Sequence, residues 1–189
     1  MLDNPQTLQS LSQTMPQIGK LEAILVRPAR YAPCVYLDQV EAVKDIGLKE
    51  DRRYLEWAAK PNNSELKISN RQVTLIQAEH IEVIAKIMKQ QNLDAALLRR
   101  NLVVSGINLL AIKPLFKHQQ HLLQIGETLL EITGPCTPCS RMEKLIGPGG
   151  YNAMRGHGGV NARVIESGML NVGDAVKLRD MTAQQSWAF

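Results

Sequence analysis

Residues 133–143, TGPCTPCSRME, gather the soft chemistry of this chain. Cys136 and Cys139, two of three cysteines, each follow a proline, and Arg141 comes two residues after the second. Four chemistries are open to such a pair. A redox dithiol usually opens a helix, whose N-terminus lowers a thiol pKa. Here the pair follows the β-rich LLEITG, with no strong amphipathic helix after it and no thioredoxin-like βαβ pattern. A zinc site needs two more ligands at sensible spacing. Cys34, His80, His118, His121 and His157 are available, but none forms a second paired motif. A single active thiolate is the third chemistry. The Arg141 cation would favour the anion of Cys139, and its sulfur suits a soft or high-valent metal. In the fourth, both cysteines pack in a turn and do no chemistry.

Further polar candidates surround this motif. Residues 147–159 hold six glycines, which allow sharp turns and close backbone approach to a ligand. Their amides could cradle an anion, with Arg155 and Arg163 nearby; alone, the run reads equally as a surface loop. GPGGYNAMRG lacks the Lys-Ser/Thr ending of a phosphate loop, and no strand–GxGxxG–helix order is present. His157 is either a base or a solvated loop residue. Asp51 either caps a turn or orients Arg52. Arg71, Arg99 and Arg100 stand at strand starts, where they form either a solvated rim or a converging fork for phosphate or carboxylate.

The elements that must hold these residues are mostly short strands. LEAILVRP (21–28), VYLDQVEAV (35–43), RQVTLI (71–76) and NLVVSGI (101–107) read as strands. HLLQIGETLLEITG (121–134) reads as a hairpin turning at Gly126–Glu127, and ARVIESGMLNVGDAVKL (162–178) as strand–turn–strand. Ile76, Ile81, Ile84, Ile87 and Met88 follow helical spacing, and LDAALL (93–98) is a second short helix. GLKEDRRY and KPNNSE (60–65) read as turns, residues 1–18 as a loose leader, and 181–189 as a terminal helix or frayed tail. Many close strands with few helices predict a mainly β, closed or nearly closed barrel in one domain over residues 19–180.

Bulk properties fit that reading. The 189 residues are 44% hydrophobic but only 4% aromatic, so the core must be aliphatic. A net charge of +4 without a dense Lys/Arg block suits a small anionic ligand and argues against nucleic acid. No apolar run is long enough to span a membrane. The N-terminus lacks a signal-peptide pattern, so a reducing cytoplasm with free thiols is expected.

Five segments in order also resemble the MOSC domain, the module named for the C-terminal part of molybdenum cofactor sulfurases. They are GLKEDRRY, RQVTLIQAEHIE, RRNLVVSGINL, IGETLLEITGPCTPCSRME and RGHGGVNARVIESGMLNVGDAV, within roughly residues 20–178. The resemblance implies a barrel-like β fold and a molybdenum cofactor (molybdopterin). It implies that Cys139 is the metal's thiolate ligand or a persulfide carrier, with Arg141 beside it. It places Arg52, Arg71, Arg100 and Asn101 at motif positions for the pterin phosphate, with Gly158, Gly159 and Arg163 in the closing glycine-rich segment. Glu50 stands where the family's turn has glycine, and Arg53 where standalone members often have histidine.

Three functions follow from the resemblance. The first is reduction of N-hydroxylated small molecules, or cofactor handling, at molybdenum, with an electron-donor protein as partner. The second is sulfur transfer through a Cys139 persulfide. Pyridoxal phosphate belongs to the family through its desulfurase domains; none is expected in these residues, so a cysteine desulfurase would supply the sulfur. The third is a cofactor-binding module without turnover.

Overall fold

Three central strands, β1 (Gly19–Val26), β5 (Val73–Gln77) and β6 (Leu102–Ser105), are apolar on both faces, and this decides the architecture. Leu21, Ile24, Leu75, Leu102 and Val104 point into one cluster, while Leu25, Ile76 and Val103 point into another. A strand buried on both sides needs a partner layer on each. The first cluster is a barrel interior. The second lies under helices wrapped outside it.

The computed structural model describes residues 7–60, 68–113, 115–116 and 121–180. The barrel closes through seven strands, in the order β1, β11 (Ala175–Asp180), β7 (His121–Ile125), β8 (Thr128–Pro135), β9 (Val160–Glu166), β5, β6 and back to β1. β5 and β6 pair in parallel, joined by the helical crossover of α3 (Ala78–Ile87) and α4 (Ala95–Leu98); the other barrel pairings are antiparallel. β7 and β8 form the expected hairpin, with Ile125 opposite Thr128 and Gly126 at φ 53. Closure leaves the barrel no free edge along these strands. Among the described residues, the buried hydrophobic core contains no aromatic residue, in keeping with the low aromatic content. Each buried Leu or Ile contributes about 1.5–3 kcal/mol.

Several boundaries differ from the sequence reading. VYLDQVEAV is two strands, broken at Asp38: β2 (Val35–Leu37) extends the barrel sheet beside β1, and β3 (Gln39–Val43) joins a second sheet. That sheet, β10 (Gly168–Asn171), β3 and β4 (Gly47–Leu48), makes 162–178 contain three strands rather than two. Ile76 belongs to β5, and Ile87 is exposed, so the helical stripe is Ile81, Ile84 and Met88. The leader contains a helix, α1 (Leu8–Gln13), because the Thr7 hydroxyl accepts the Ser10 amide and caps it. GLKEDRRY leads into α2 (Arg52–Ala58), capped by Asp51. Residues 61–65 of the expected 60–65 turn, His118 and the segment 181–189 lie outside the described residues.

The outer layer carries the cysteine turn and the glycine run. A short helix, α5 (Arg141–Leu145), does follow the cysteines, and it buries Met142; α6 (Gly150–Ala153) sits in the glycine run. His80 of α3 and His157 of the run meet edge to face, with ring centroids 5.1 Å apart. Burial first, then His157, hold the His80 pKa below its usual value, while Glu79 opposes them.

Two predictions follow from this packing. Gly159 sits at φ 80, and a Cβ there would overlap the Leu75 carbonyl oxygen, whereas Gly149 at φ 87 has open space. Gly159→Ala should cost about 3 kcal/mol in urea unfolding, and Gly149→Ala only about 1 kcal/mol. A histidine with a depressed folded pKa takes up its proton more readily when unfolded. Its contribution is full above the unfolded value near 6.5 and is lost as pH falls toward the folded one. The melting temperature should therefore fall as pH drops below about 6.5, and His80→Gln should flatten that slope.

Candidate active site

β1 ends, and β5 and β6 begin, at one level of the barrel. The Leu25 amide donates to the Asn101 carbonyl at 2.7 Å, and the Asn101 amide to the Thr74 carbonyl at 2.9 Å. Asn101 then spends its side chain on the same neighbours. Its Oδ1 accepts from the Thr74 amide (3.1 Å) and hydroxyl (2.9 Å). Its Nδ2 donates to the Leu25 carbonyl (3.2 Å) and to Asp51 Oδ2 (3.1 Å). Asp51 also accepts from the Arg27 and Arg53 amides. One carboxamide therefore ties three strands to the start of α2, and Asp51 acts as cap and anchor together.

Next to it, Arg100 is buried to 7% exposure, with each of its three guanidinium nitrogens engaged. Its Nε donates to the Gly158 carbonyl (2.7 Å), Nη1 to Leu98 (2.9 Å) and Nη2 to Cys136 (3.1 Å). The Cys136 amide in turn donates to the Gly159 carbonyl at 2.8 Å. A Cβ on Gly158 would overlap the Cys136 carbonyl oxygen. Gly158 and Gly159 are therefore buried so that the glycine run can lie against the cysteine turn and β5.

Around this framework lies a cavity of about 340 Å³. Six arginines line it (Arg27, Arg52, Arg53, Arg71, Arg99 and Arg100), with Asp51 as its one acidic residue. Three buried donors have no hydrogen-bond partner: Arg27 Nε, Arg52 Nε and Gln72 Nε2. Those three atoms have almost no surface of their own open to the cavity, so its preference rests on charge: six guanidiniums against one carboxylate suit an anion. The Arg52 Nη1 holds Glu56 at 2.7 Å, and Arg53 Nε donates to the Ile46 carbonyl at 2.7 Å. Arg99, left-handed at φ 60, donates to the carbonyls of Arg30 and Ala32. Burial, then the charges of Arg27 and Arg141, lowers its pKa, and Cys34 and Cys139 oppose that fall.

The three cysteines are free and occupy different surroundings. Cys34 lines the arginine cavity; burial pushes its thiol pKa up, and Arg99 and Arg27 work against that. Cys136 is half-buried, and burial again raises its thiol pKa, opposed by Arg100 and Arg71. Cys139 is exposed, within electrostatic reach of Arg99 and Arg100. Arg141 stacks on Tyr31, 4.5 Å from the ring centre, and reaches the Arg30 carbonyl. Among the described residues, no group of three or more His, Cys, Asp or Glu could hold a metal by itself.

The structure thus brings Arg52, Arg71, Arg100 and Asn101 to one cavity. Arg163 lines neither this cavity nor the apolar one beside Cys136; it pairs with Glu131 across β8 and β9 at 2.8 Å. Sequence reading missed Arg27 and Gln72, and weighed Cys34 only as a zinc ligand. Arg27 looked like the end of a strand before Pro28, and no spacing rule connects it to residue 101. Glu50, the departure from the family's glycine, has φ 66, a backbone conformation that favours glycine.

Asn101 and Arg71 should separate framework from lining. Asn101→Ala removes four side-chain hydrogen bonds and should cost about 3 kcal/mol in denaturant unfolding. Arg71→Ala, at an exposed position, should change stability by less than about 0.5 kcal/mol.

Solved structures share this fold. YuaD from Bacillus subtilis superposes with a TM-score of 0.69 at 16% identity, covering 86% of this chain and 96% of that one. YiiM from Escherichia coli gives 0.58 at 16% identity, covering 87% and 70%. YiiM from Geobacillus stearothermophilus gives 0.60 at 14% identity, covering 85% and 75%. No curated protein matches the chain in sequence. The MOSC domain profile matches residues 44–177, from the second sheet through the arginine cavity and cysteine turn to β11, so the chain belongs to the MOSC domain family.

Proposed function

We propose that this MOSC protein binds a molybdenum cofactor and reduces N-hydroxylated small molecules or hands the cofactor on, with Cys139 as thiolate ligand. The observation that carries the reading is the arginine cavity, with six guanidiniums against one carboxylate. A pterin phosphate supplies acceptors of the right charge, and guanidinium groups meet phosphate in a paired geometry. Arg27, Arg52 and Arg71 hold that phosphate. Arg100, Asn101, Gly158 and Gly159 build the walls, because their groups are already used within the fold. Arg163 has no part in this assignment, since Glu131 neutralises it elsewhere.

When bound, the molybdenum centre supplies two-electron oxygen-atom chemistry. The chain's residues position and polarise. The turn between β8 and α5 presents Cys139 at the surface, anchored by the Met142 amide donating to the Cys139 carbonyl at 3.0 Å. Arg141, held against Tyr31, adds fixed positive charge beside it. An anionic substrate is drawn to this rim and a cation repelled. An electron-donor protein completes the cycle.

The exposure of Cys139 favours one alternative. An accessible thiol can be reached by a cysteine desulfurase and carry a persulfide to an acceptor.

Molybdenum and pterin content separates these readings, in protein purified from a host that makes the cofactor. Stoichiometric metal is expected in the wild type, none in Cys139→Ser, and a drop of about tenfold or more in Arg27→Ala. Absence of metal from every sample would overturn the cofactor reading, and a persulfide on Cys139 would then establish sulfur carriage. Bound cofactor without turnover would leave a binding module.

A further inference from the structure

The cysteine turn separates two cavities. On one side lies an apolar space of about 500 Å³ beside Cys136, with Pro138 in its wall. Arg100 backs that wall, since its guanidinium donates to the carbonyls of Cys136 and Gly158, which line the space. On the other side lies a surface cavity of about 310 Å³, lined by Arg30, Tyr31, Ser140, Arg141 and Lys144. Cys139 falls between Pro138 and Ser140 and is exposed, on the ridge between the two. A partner that reaches its sulfur must cover that ridge.

The surface cavity carries one sign of charge. Three of its five lining residues are cations, and none is a carboxylate. Glu143, in the same helix as Arg141 and Lys144, is turned to the glycine run, where it accepts from the Gly149 amide at 2.6 Å and the Tyr151 amide at 3.0 Å. Among the described residues, no ion pair engages Arg30, Arg141 or Lys144. The basic groups are nevertheless held in place. The Arg30 carbonyl accepts from Arg99 Nη2 at 2.8 Å and from Arg141 Nη1 at 3.5 Å, which ties the loop after β1 to the end of α4 and to α5. The Arg141 and Arg30 guanidiniums lie 4.5 Å and 5.5 Å from the Tyr31 ring centre. Tyr31 is 69% exposed, so its ring stands out of the surface with cations against it. Cations held side by side repel one another, and an anionic partner relieves that repulsion. Tyrosine and arginine are also the side chains that most often anchor protein interfaces.

We infer that this basic cavity and Tyr31 form the docking face for a carboxylate-rich surface of a partner protein, and that docking brings the partner's reacting group over Cys139. The charge steers the acidic surface in. The cavity also sets direction, because it flanks the thiol on one side while the other side is apolar. The inference rests on the reading of Cys139 as the working thiol, and holds whether that thiol carries metal or sulfur.

Disulfide exchange at Cys139 reads docking directly. The full-length chain, from a host that does not make the cofactor, is mixed with synthetic peptides whose one cysteine is activated as a pyridyl disulfide. One peptide has a run of glutamates before that cysteine, the other a run of lysines. The Cys139 thiolate attacks the peptide sulfur; a new S–S bond forms, the old one breaks, and thiopyridone leaves with the electron pair. Peptide mass spectrometry reads Cys139 separately from Cys34 and Cys136. At low salt the glutamate peptide should react about tenfold faster than the lysine peptide or more, and the ratio should collapse toward unity at about 0.5 M salt. Arg30→Glu and Lys144→Glu, both at exposed positions, should each lower the ratio several-fold with melting temperature unchanged. Lys177→Glu, an equal change of charge in β11 outside the cavity, should leave the ratio as in the wild type. Equal rates for the two peptides, or a preference that survives both cavity variants, overturns the proposal. So does a preference that Lys177→Glu lowers equally, which would report net charge alone. Binding to phosphatidylserine vesicles that the cavity variants lose, with equal peptide rates, would make the face a membrane site instead. Failure of the molybdenum reading shows separately, as absent metal with these rates unaffected.

Discussion

The carboxamide of Asn101 is the tie on which the candidate site depends. It accepts twice from Thr74 and donates to Leu25 and Asp51, linking β5, β1 and the capped start of α2 through one side chain of the residue that opens β6. The parallel β5–β6 pair is the one barrel pairing that no hairpin can make, since a helical crossover must intervene. A side chain that locks both strands at their starting ends fixes the register there. With the register fixed, Arg27, Arg71 and Arg100 come to the same rim. Without it, six guanidiniums would repel one another into solvent.

Arg100 does the corresponding work for the outer layer. Its three carbonyl partners belong to α4, the glycine run and the cysteine turn, segments up to 58 residues apart in sequence. Burying a guanidinium is unfavourable unless its donors are all engaged, so these carbonyls must stay in place. The result is a rigid floor common to two cavities, with the thiols distributed around it. Glu143 extends the same logic one turn further by fixing the glycine run through its amides. The glycines are therefore a packing device. The missing side chains of Gly158 and Gly159 let the run lie directly against the backbone carbonyls of Cys136 and Leu75.

Much of the barrel was legible because its signals are local. The two-residue turn at Gly126, the apolar runs of β1, β5 and β6, and the Asp51 cap each depend on neighbours in sequence. The second sheet was not legible. β3, β4 and β10 come from two distant stretches, and the break at Asp38 redirects a strand whose alternation continues across it. Ile76 shows why periodicity misleads at a strand–helix junction. A residue on the outer face of β5 lies over the same helix layer that the stripe of α3 packs against, so both contribute to one apolar pattern.

The site was legible in residue type but not in role. Arg52, Arg71, Arg100 and Asn101 were all marked, and all line the cavity. An arginine bonded to three carbonyls and an arginine facing an empty space have the same letter in sequence; only the accounting of hydrogen bonds separates them. That accounting turns Arg100 and Asn101 into framework. It also explains the departure at Glu50. The turn before Asp51 needs a positive φ to bring the capping carboxylate under Arg27 and Asn101. Glycine meets that need without strain, and Glu50 meets it at a cost of about 1 kcal/mol, which the bonds to Asp51 must offset.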